Sequence, residues 1–139
     1  MKGRSITQLH VGESAQFTKT VTAHDVVMFA GVSGDHNPVH LDEAYAQNTI
    51  FKTRIAHGML VGSLFSTILG TQLPGEGTIY LGQDLKFLRP VILDDVITAT
   101  VTVSEIIAEK NRVRLDTVAT NQRGETVISG TAVVMPPRD

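Results

Sequence analysis

A chain of 139 residues with 42% hydrophobic and 19% charged side chains is sized for one soluble domain with a sizeable core. Its formal net charge of −2 offers no basic field for nucleic acid, and the absence of cysteine excludes disulfides, thiol catalysis and thiolate metal sites. Residues 1–11 have no apolar core of the signal-peptide kind. The longest apolar stretch, 59–69, is interrupted by Gly62, Ser63, Ser66 and Thr67 and falls short of the roughly 20 residues that span a bilayer. The expectation is a single cytoplasmic domain over 1–139, with no nucleic-acid or membrane partner.

In chain order, Val11-Gly12-Glu13 reads as a turn and 15–21 as a strand. Thr22-Ala23-His24-Asp25 resembles a capping box with Asp in the place of Glu or Gln. Val26, Val27, Phe29, Ala30 and Val32 follow at near-helical spacing. Asn37-Pro38 marks a turn, because Pro38 disfavours the α region at Asn37. A second, short helix is predicted over 41–48. A third opens at Gly58 and runs to about residue 69, with Gly70 as its stop. That third helix is apolar nearly all round, which predicts burial on several sides.

The second half changes period. Ile79, Leu81, Leu85 and Phe87 alternate with polar or small residues. So do Ile97, Ala99, Val101 and Val103, then Val113, Leu115 and Ala119, then Val127 and Val133 with Ile128 and Val134 on the other face. Breaks fall at Leu93-Asp94-Asp95, Glu109-Lys110-Asn111 and Asn121-Gln122-Arg123-Gly124. Long strands joined by short turns predict an antiparallel sheet. A buried helix followed by such a sheet predicts an α+β fold, the sheet wrapped around the helix.

Chemistry concentrates in Ser33-Gly34-Asp35-His36-Asn37-Pro38-Val39-His40. A turn at Asn37-Pro38 would fold Asp35 and His40 toward one point, where a carboxylate and an imidazole could hold one water as general acid and base. The plainer alternative is a turn-capping carboxylate beside an exposed histidine. His57-Gly58 opens the apolar helix, whose free N–H groups could polarise a carbonyl through Gly58; the alternative is a tight helix entry. Ser66 shares a face with Gly62 and Leu69; it either lines a pocket or bonds the carbonyl four residues back. No general base or nucleophile elbow accompanies it, so it is not read as a nucleophile. His36 and His40 stand four apart, but Pro38 breaks the helix that would align them, and no metal site is expected. Gly75-Glu76-Gly77 lacks the following Lys-Ser/Thr of a phosphate loop.

Taken in order, Asp35-His36-Asn37-Pro38-Val39-His40, Ala56-His57-Gly58-Met59, Ser63-Leu64-Phe65-Ser66 and Gly82-Gln83-Asp84-Leu85-Lys86-Phe87 with Pro90-Val91 resemble the MaoC-like family of (R)-specific enoyl-CoA hydratases. The resemblance covers nearly the whole chain. It implies the hot-dog fold, a long helix wrapped by an antiparallel sheet, and a homodimer joined edge to edge. It implies an acyl-CoA thioester substrate and no metal or organic cofactor. It makes Asp35 and His40 the catalytic pair, Gly58 the thioester-oxygen donor, and Ser66 a pocket residue. Asn37, His57, Gly62 and Leu69 are taken as further substrate-binding positions, Leu69 because it could close an acyl tunnel beyond Ser66. Asp94 departs from the pattern, since the family often has Gly before the aspartate that matches Asp95.

Overall fold

The computed structural model describes residues 2–139. One antiparallel sheet organises them. Strands β1 (Ser14–Thr20), β2 (Ile79–Gln83), β3 (Lys86–Phe87), β4 (Val96–Ile107), β5 (Arg112–Thr120) and β6 (Thr126–Met135) run in the order β1-β4-β5-β6-β2, with β3 also on β6. Hydrophobic alternation sets the register. Ile97, Ala99, Val101 and Val103 on β4 are at most 1% exposed, as are Val113, Leu115 and Ala119 on β5. Ala99 lies opposite Ala119 and Val103 opposite Leu115, so one face of the sheet is continuously apolar.

Among the described residues four α-helices accompany it: α1 (Ala23–Ser33), α2 (Pro38–Leu41), α3 (Glu43–Gln47) and α4 (Gly58–Thr71). Helix α4 puts Val61, Leu64, Phe65, Ile68 and Leu69 into the same buried cluster as the inward residues of β4, β5 and β6. Each such side chain contributes roughly 1.5–3 kcal/mol when fully buried. This is the α+β arrangement of a helix wrapped by a sheet. Among the described residues no helix is long and apolar enough to cross a membrane.

The capping box at the start of α1 forms as read. Thr22 Oγ1 accepts from the Asp25 N–H at 3.1 Å and the Asp25 carboxylate accepts from the Thr22 N–H at 3.0 Å. Three boundaries differ from the sequence reading. The helix predicted over 41–48 shortens to α3 and is preceded by a separate helix, α2, because Asn37 caps a helix begun by Pro38 and Asp42 caps the next through the Tyr45 N–H at 3.2 Å. Helix α4 passes through Gly70 and ends at Thr71, capped by Gln72, so Gly70 is not its stop. The 79–87 strand is interrupted at Asp84, whose N–H and carboxylate both bond Thr131. There a Cβ on residue 130 would stand 2.0 Å from the Asp84 carbonyl oxygen, which Gly130 avoids. The turn before β4 places Asp94 at φ 73°, in the left-handed region that favours glycine.

Candidate active site

The acid and the imidazole of the opening motif are delivered by two adjacent turns. Gly34 ends α1 at φ 82°, which redirects the chain and sets Asp35 outside the helix. The Asn37 N–H then donates to Asp35 Oδ1 at 3.1 Å, and Asn37 Oδ1 accepts from the Val39 N–H at 3.2 Å. Asn37 thus orients the carboxylate and starts the helix that carries His40. His36 turns away: it is exposed, and its Nδ1 donates to the Gly34 carbonyl at 3.1 Å.

His40 is 8% exposed and its Nδ1–H donates to the Ile55 carbonyl at 2.8 Å. A carbonyl only accepts, so in the neutral ring Nε2 carries the lone pair. Burial pushes the His40 pKa below the usual histidine value, and His57 pushes the same way. The Ile55 carbonyl and the Asp35 carboxylate oppose the shift without reversing it. The outcome is a neutral proton acceptor beside a carboxylate.

His57 is 2% exposed and stacks on His40, with ring centroids 3.8 Å apart and planes at 27°. Asp35, His40 and His57 each offer one donor atom, all within 4.8 Å of one another. Face-stacked rings send their in-plane lone pairs alongside each other rather than toward one centre. The set suits a held water better than a shared ion.

Gly58 is the first residue of α4, and its N–H has no acceptor among the described residues. The 14-residue helix behind it adds its positive dipole end. A Cβ here would stand 2.5 Å from Phe87 Cε1, so any side chain at this position must displace the aromatic ring packed upon it.

Asp35, His40, His57 and Gly58 line one cavity of about 480 Å³ whose other walls include Phe51, Ile55, Phe87, Arg89 and Pro90. A neighbouring groove of about 510 Å³ holds Gly62 and Ser66 with Phe29, Tyr80, Gln83 and Leu85, and Met59 borders both spaces. Ser66 is exposed there and makes no side-chain hydrogen bond among the described residues; the back-bond to a helix carbonyl belongs instead to Ser63, on Leu60 at 2.5 Å. Leu69 lies a turn further on, 1% exposed, and lines neither space. Tyr80 and Gln83 were not singled out by sequence as pocket residues. Tyr80 donates to Gln83 Oε1, and Gln83 Nε2 donates to the buried Thr117 at 2.9 Å. Their only signal was membership of the segment around Gly82-Gln83-Asp84.

A sheet wrapped on a buried helix, with a carboxylate, a neutral imidazole and a free helix N-terminus around one apolar cavity, defines a hot-dog protein built for acid/base chemistry on a carbonyl compound. The chain belongs to the family of the MaoC like domain, which matches residues 7–126. It is 52% identical to an (R)-specific enoyl-CoA hydratase of Rhodospirillum rubrum, over 91% of this chain and 87% of the relative. It is 46% identical to the Aeromonas caviae enzyme of the same description, over 96% of this chain and 99% of that one. Among solved structures, the unliganded R-hydratase PhaJ1 of Pseudomonas aeruginosa superposes with a TM-score of 0.93 at 50% identity, covering 99% of this chain and 88% of that one.

Proposed function

We propose that this chain is an (R)-specific enoyl-CoA hydratase, adding water reversibly to a trans-2-enoyl-CoA to give the (R)-3-hydroxyacyl-CoA. The observation that carries the reading is the fixed tautomer of His40: with Nδ1–H spent on Ile55, Nε2 keeps the lone pair, on a ring with a nitrogen within 4.8 Å of an Asp35 carboxylate oxygen. One water donates to both. As its oxygen attacks C3, one proton passes to the pair, and the pair delivers a proton to C2. The negative charge that grows on the thioester oxygen meets the Gly58 N–H; such donors typically contribute about 2.7–4 kcal/mol. The enoyl thioester already polarises its double bond, so the reading asks for no metal or organic cofactor.

The groove past Gly62 and Ser66 is read as the path of the acyl tail, with Leu69 at its far end. One wall of that groove is β2, an outer strand of the sheet, where Ile79, Tyr80 and Leu81 are 54%, 39% and 45% exposed. An outer strand with apolar side chains invites pairing. A homodimer joined there would roof the groove, and light scattering at twice the 15.0 kDa chain mass is the expected result. The working compartment is read as the cytoplasm.

The second reading, a dehydratase of 3-hydroxyacyl carrier protein, would use the same site in reverse and would want a basic patch for an acidic carrier. Two of its candidate cations are already neutralised: Arg89 pairs with Glu125 at 3.5 Å and Arg114 with Glu105 at 3.2 Å. This favours CoA. A third reading, a non-catalytic acyl-CoA-binding module, leaves the aligned pair without a purpose. The test is loss of enoyl absorbance from crotonyl-CoA, followed by chiral analysis of the product. Binding without turnover would support the module, and free thiol released would indicate a thioesterase.

A further inference from the structure

Two imidazoles and two carbonyls close a brace beneath the cavity. His40 donates to the carbonyl of Ile55, two residues before His57. His57 Nε2–H donates to the carbonyl of Asp35 at 3.0 Å. The 35–40 and 55–57 segments are also joined by the Ile55 N–H on the Val39 carbonyl at 3.2 Å and by Arg54 Nε on the His40 carbonyl at 2.7 Å.

The other nitrogen of His57 is the informative atom. Nδ1 is buried and has no hydrogen-bond partner. With Nε2 carrying the proton, Nδ1 is an unmatched lone pair in an apolar setting, next to Phe29 at 4.9 Å between ring centroids. A buried unmatched acceptor is costly, and a phenyl ring would fill the same space without it. The imidazole is therefore kept for its Nε2–H, which reaches the one polar group it touches: the main chain of Asp35.

We propose that His57 is a positioning residue for hydration, holding the Asp35 main chain and backing the His40 ring so that both groups reach one water. The proposal rests on the hydratase reading above. Asp35 needs such a hold. It is an exposed residue just past Gly34, and its other anchors, the Ser33 hydroxyl and the Asn37 N–H, belong to the same loop. His57 is the anchor that ties it to a different element, the buried start of α4. Displacement of a reacting group by about 1 Å can cost on the order of a hundredfold in rate.

The test uses full-length His57→Phe and His57→Gln with crotonyl-CoA, alongside thermal melting. Phe keeps an aromatic stack and loses the donor; Gln loses the stack and keeps an N–H at the reach of Nε2. The expected result is a fall in kcat of about ten- to a hundredfold for Phe with KM within about threefold, and recovery of most of that loss in Gln. A purely structural role would lower melting in both variants and leave this ordering absent. Asp35 and His40 are the titratable groups clustered with His57, with Arg54 on the far carbonyl of His40 and Arg89 on the wall of the same cavity. Both variants remove an imidazole from beside His40, so the acid limb of kcat/KM should move upward in pH. Should Phe not fold, His57→Leu replaces it as the variant without a donor, and a Leu kcat equal to that of Gln overturns the proposal. So does a Phe variant with kcat within about twofold of wild type. If the wild-type chain hydrates nothing, the hydratase reading fails. Amide hydrogen exchange over 34–40 then reads the brace without turnover, and protection identical in wild type and His57→Phe would overturn it.

Discussion

His40 and His57 each donate a ring N–H to a carbonyl on the other's segment, at 2.8 Å to Ile55 and 3.0 Å to Asp35, while their rings stack at 3.8 Å. This mutual arrangement turns a loop carboxylate and a buried imidazole into one unit. It makes Asp35→Asn and His40→Gln costly in the same way. Each should lower kcat at least about a hundredfold, within the range for acid/base groups. The double variant should be little worse than either single one, because groups that act together are non-additive. Steady-state kinetics on crotonyl-CoA check this. Activity kept within about fivefold in either single variant would refute the pair.

The pH profile should carry the signature of a buried histidine. Only neutral His40 accepts a proton, and burial lowers its pKa from the ordinary value. The acid limb of kcat/KM should therefore fall below the ordinary histidine pKa of about 6.5. Linkage gives stability the same direction. The unfolded chain binds the proton more readily, so this contribution is present above the unfolded pKa and is lost as pH falls through the lowered folded one. Melting temperature and kcat/KM measured down the same pH series should decline in that order of cause. A limb centred above the ordinary value would contradict the burial.

Gly58 should tolerate no side chain, for a reason that can be separated from its conformation. The Cβ of an alanine would meet Phe87 Cε1 at 2.5 Å and Cδ1 at 2.7 Å. Gly58→Ala must displace either the ring or the start of α4, and with it the N–H proposed to receive the thioester oxygen. Loss of one oxyanion donor typically costs about a hundred- to a thousandfold in kcat, and partial displacement should cost at least about tenfold. Adding Phe87→Ala should return part of that loss, since contacting residues couple. A double variant no better than Gly58→Ala would place the requirement elsewhere.

The sheet, the central helix and the turn that gathers Asp35 and His40 were legible because each rests on a local pattern. Alternation wrote β4 to β6, and an all-apolar run wrote α4. Asn37-Pro38 located the turn that brings Asp35 toward His40. What was not legible depends on contacts distant in sequence. Asp84 interrupts the 79–87 strand because it bonds Thr131, 47 residues on. Gly70 looked like a helix stop, yet α4 continues to Thr71. His57 looked like a substrate contact, and its spacing gave no sign that Nε2 would reach back to the Asp35 carbonyl, 22 residues away. The departure at Asp94 was visible in sequence, and only the backbone showed its consequence.

That consequence is testable as stability. Asp94 sits at φ 73°, and its N–H bonds the Val21 carbonyl at 2.7 Å, so the turn is held in place. Aspartate visits the left-handed region at a cost that glycine does not bear. Asp94→Gly should stabilise the fold by about 0.5–1 kcal/mol, after the entropy glycine adds to the unfolded chain. Activity should be unchanged, because Asp95 keeps its own bonds to the Ile92 N–H and to Gln122. Denaturant melts of the two proteins decide it, and a lower midpoint in the glycine variant would show that the turn is not strained.

Leu69 tests how far the acyl tail reaches. Gly62 and Ser66 border the open groove, and Leu69 follows on nearly the same helical face, fully inside the core cluster. On the proposed path, a tail that ran past Ser66 would meet this side chain, and Leu69 would then set a preference for short to medium chains. Leu69→Ala should improve kcat/KM for longer enoyl-CoAs relative to crotonyl-CoA. Each further buried methylene is worth at most about 0.8 kcal/mol, which allows a several-fold gain per carbon pair. The same variant should lose about 2–5 kcal/mol of stability, because Leu69 is also core. The two effects come apart cleanly. A lower melting temperature with an unchanged chain-length preference would leave Leu69 as packing alone, end the tail path at Ser66, and leave Asp35, His40 and Gly58 untouched.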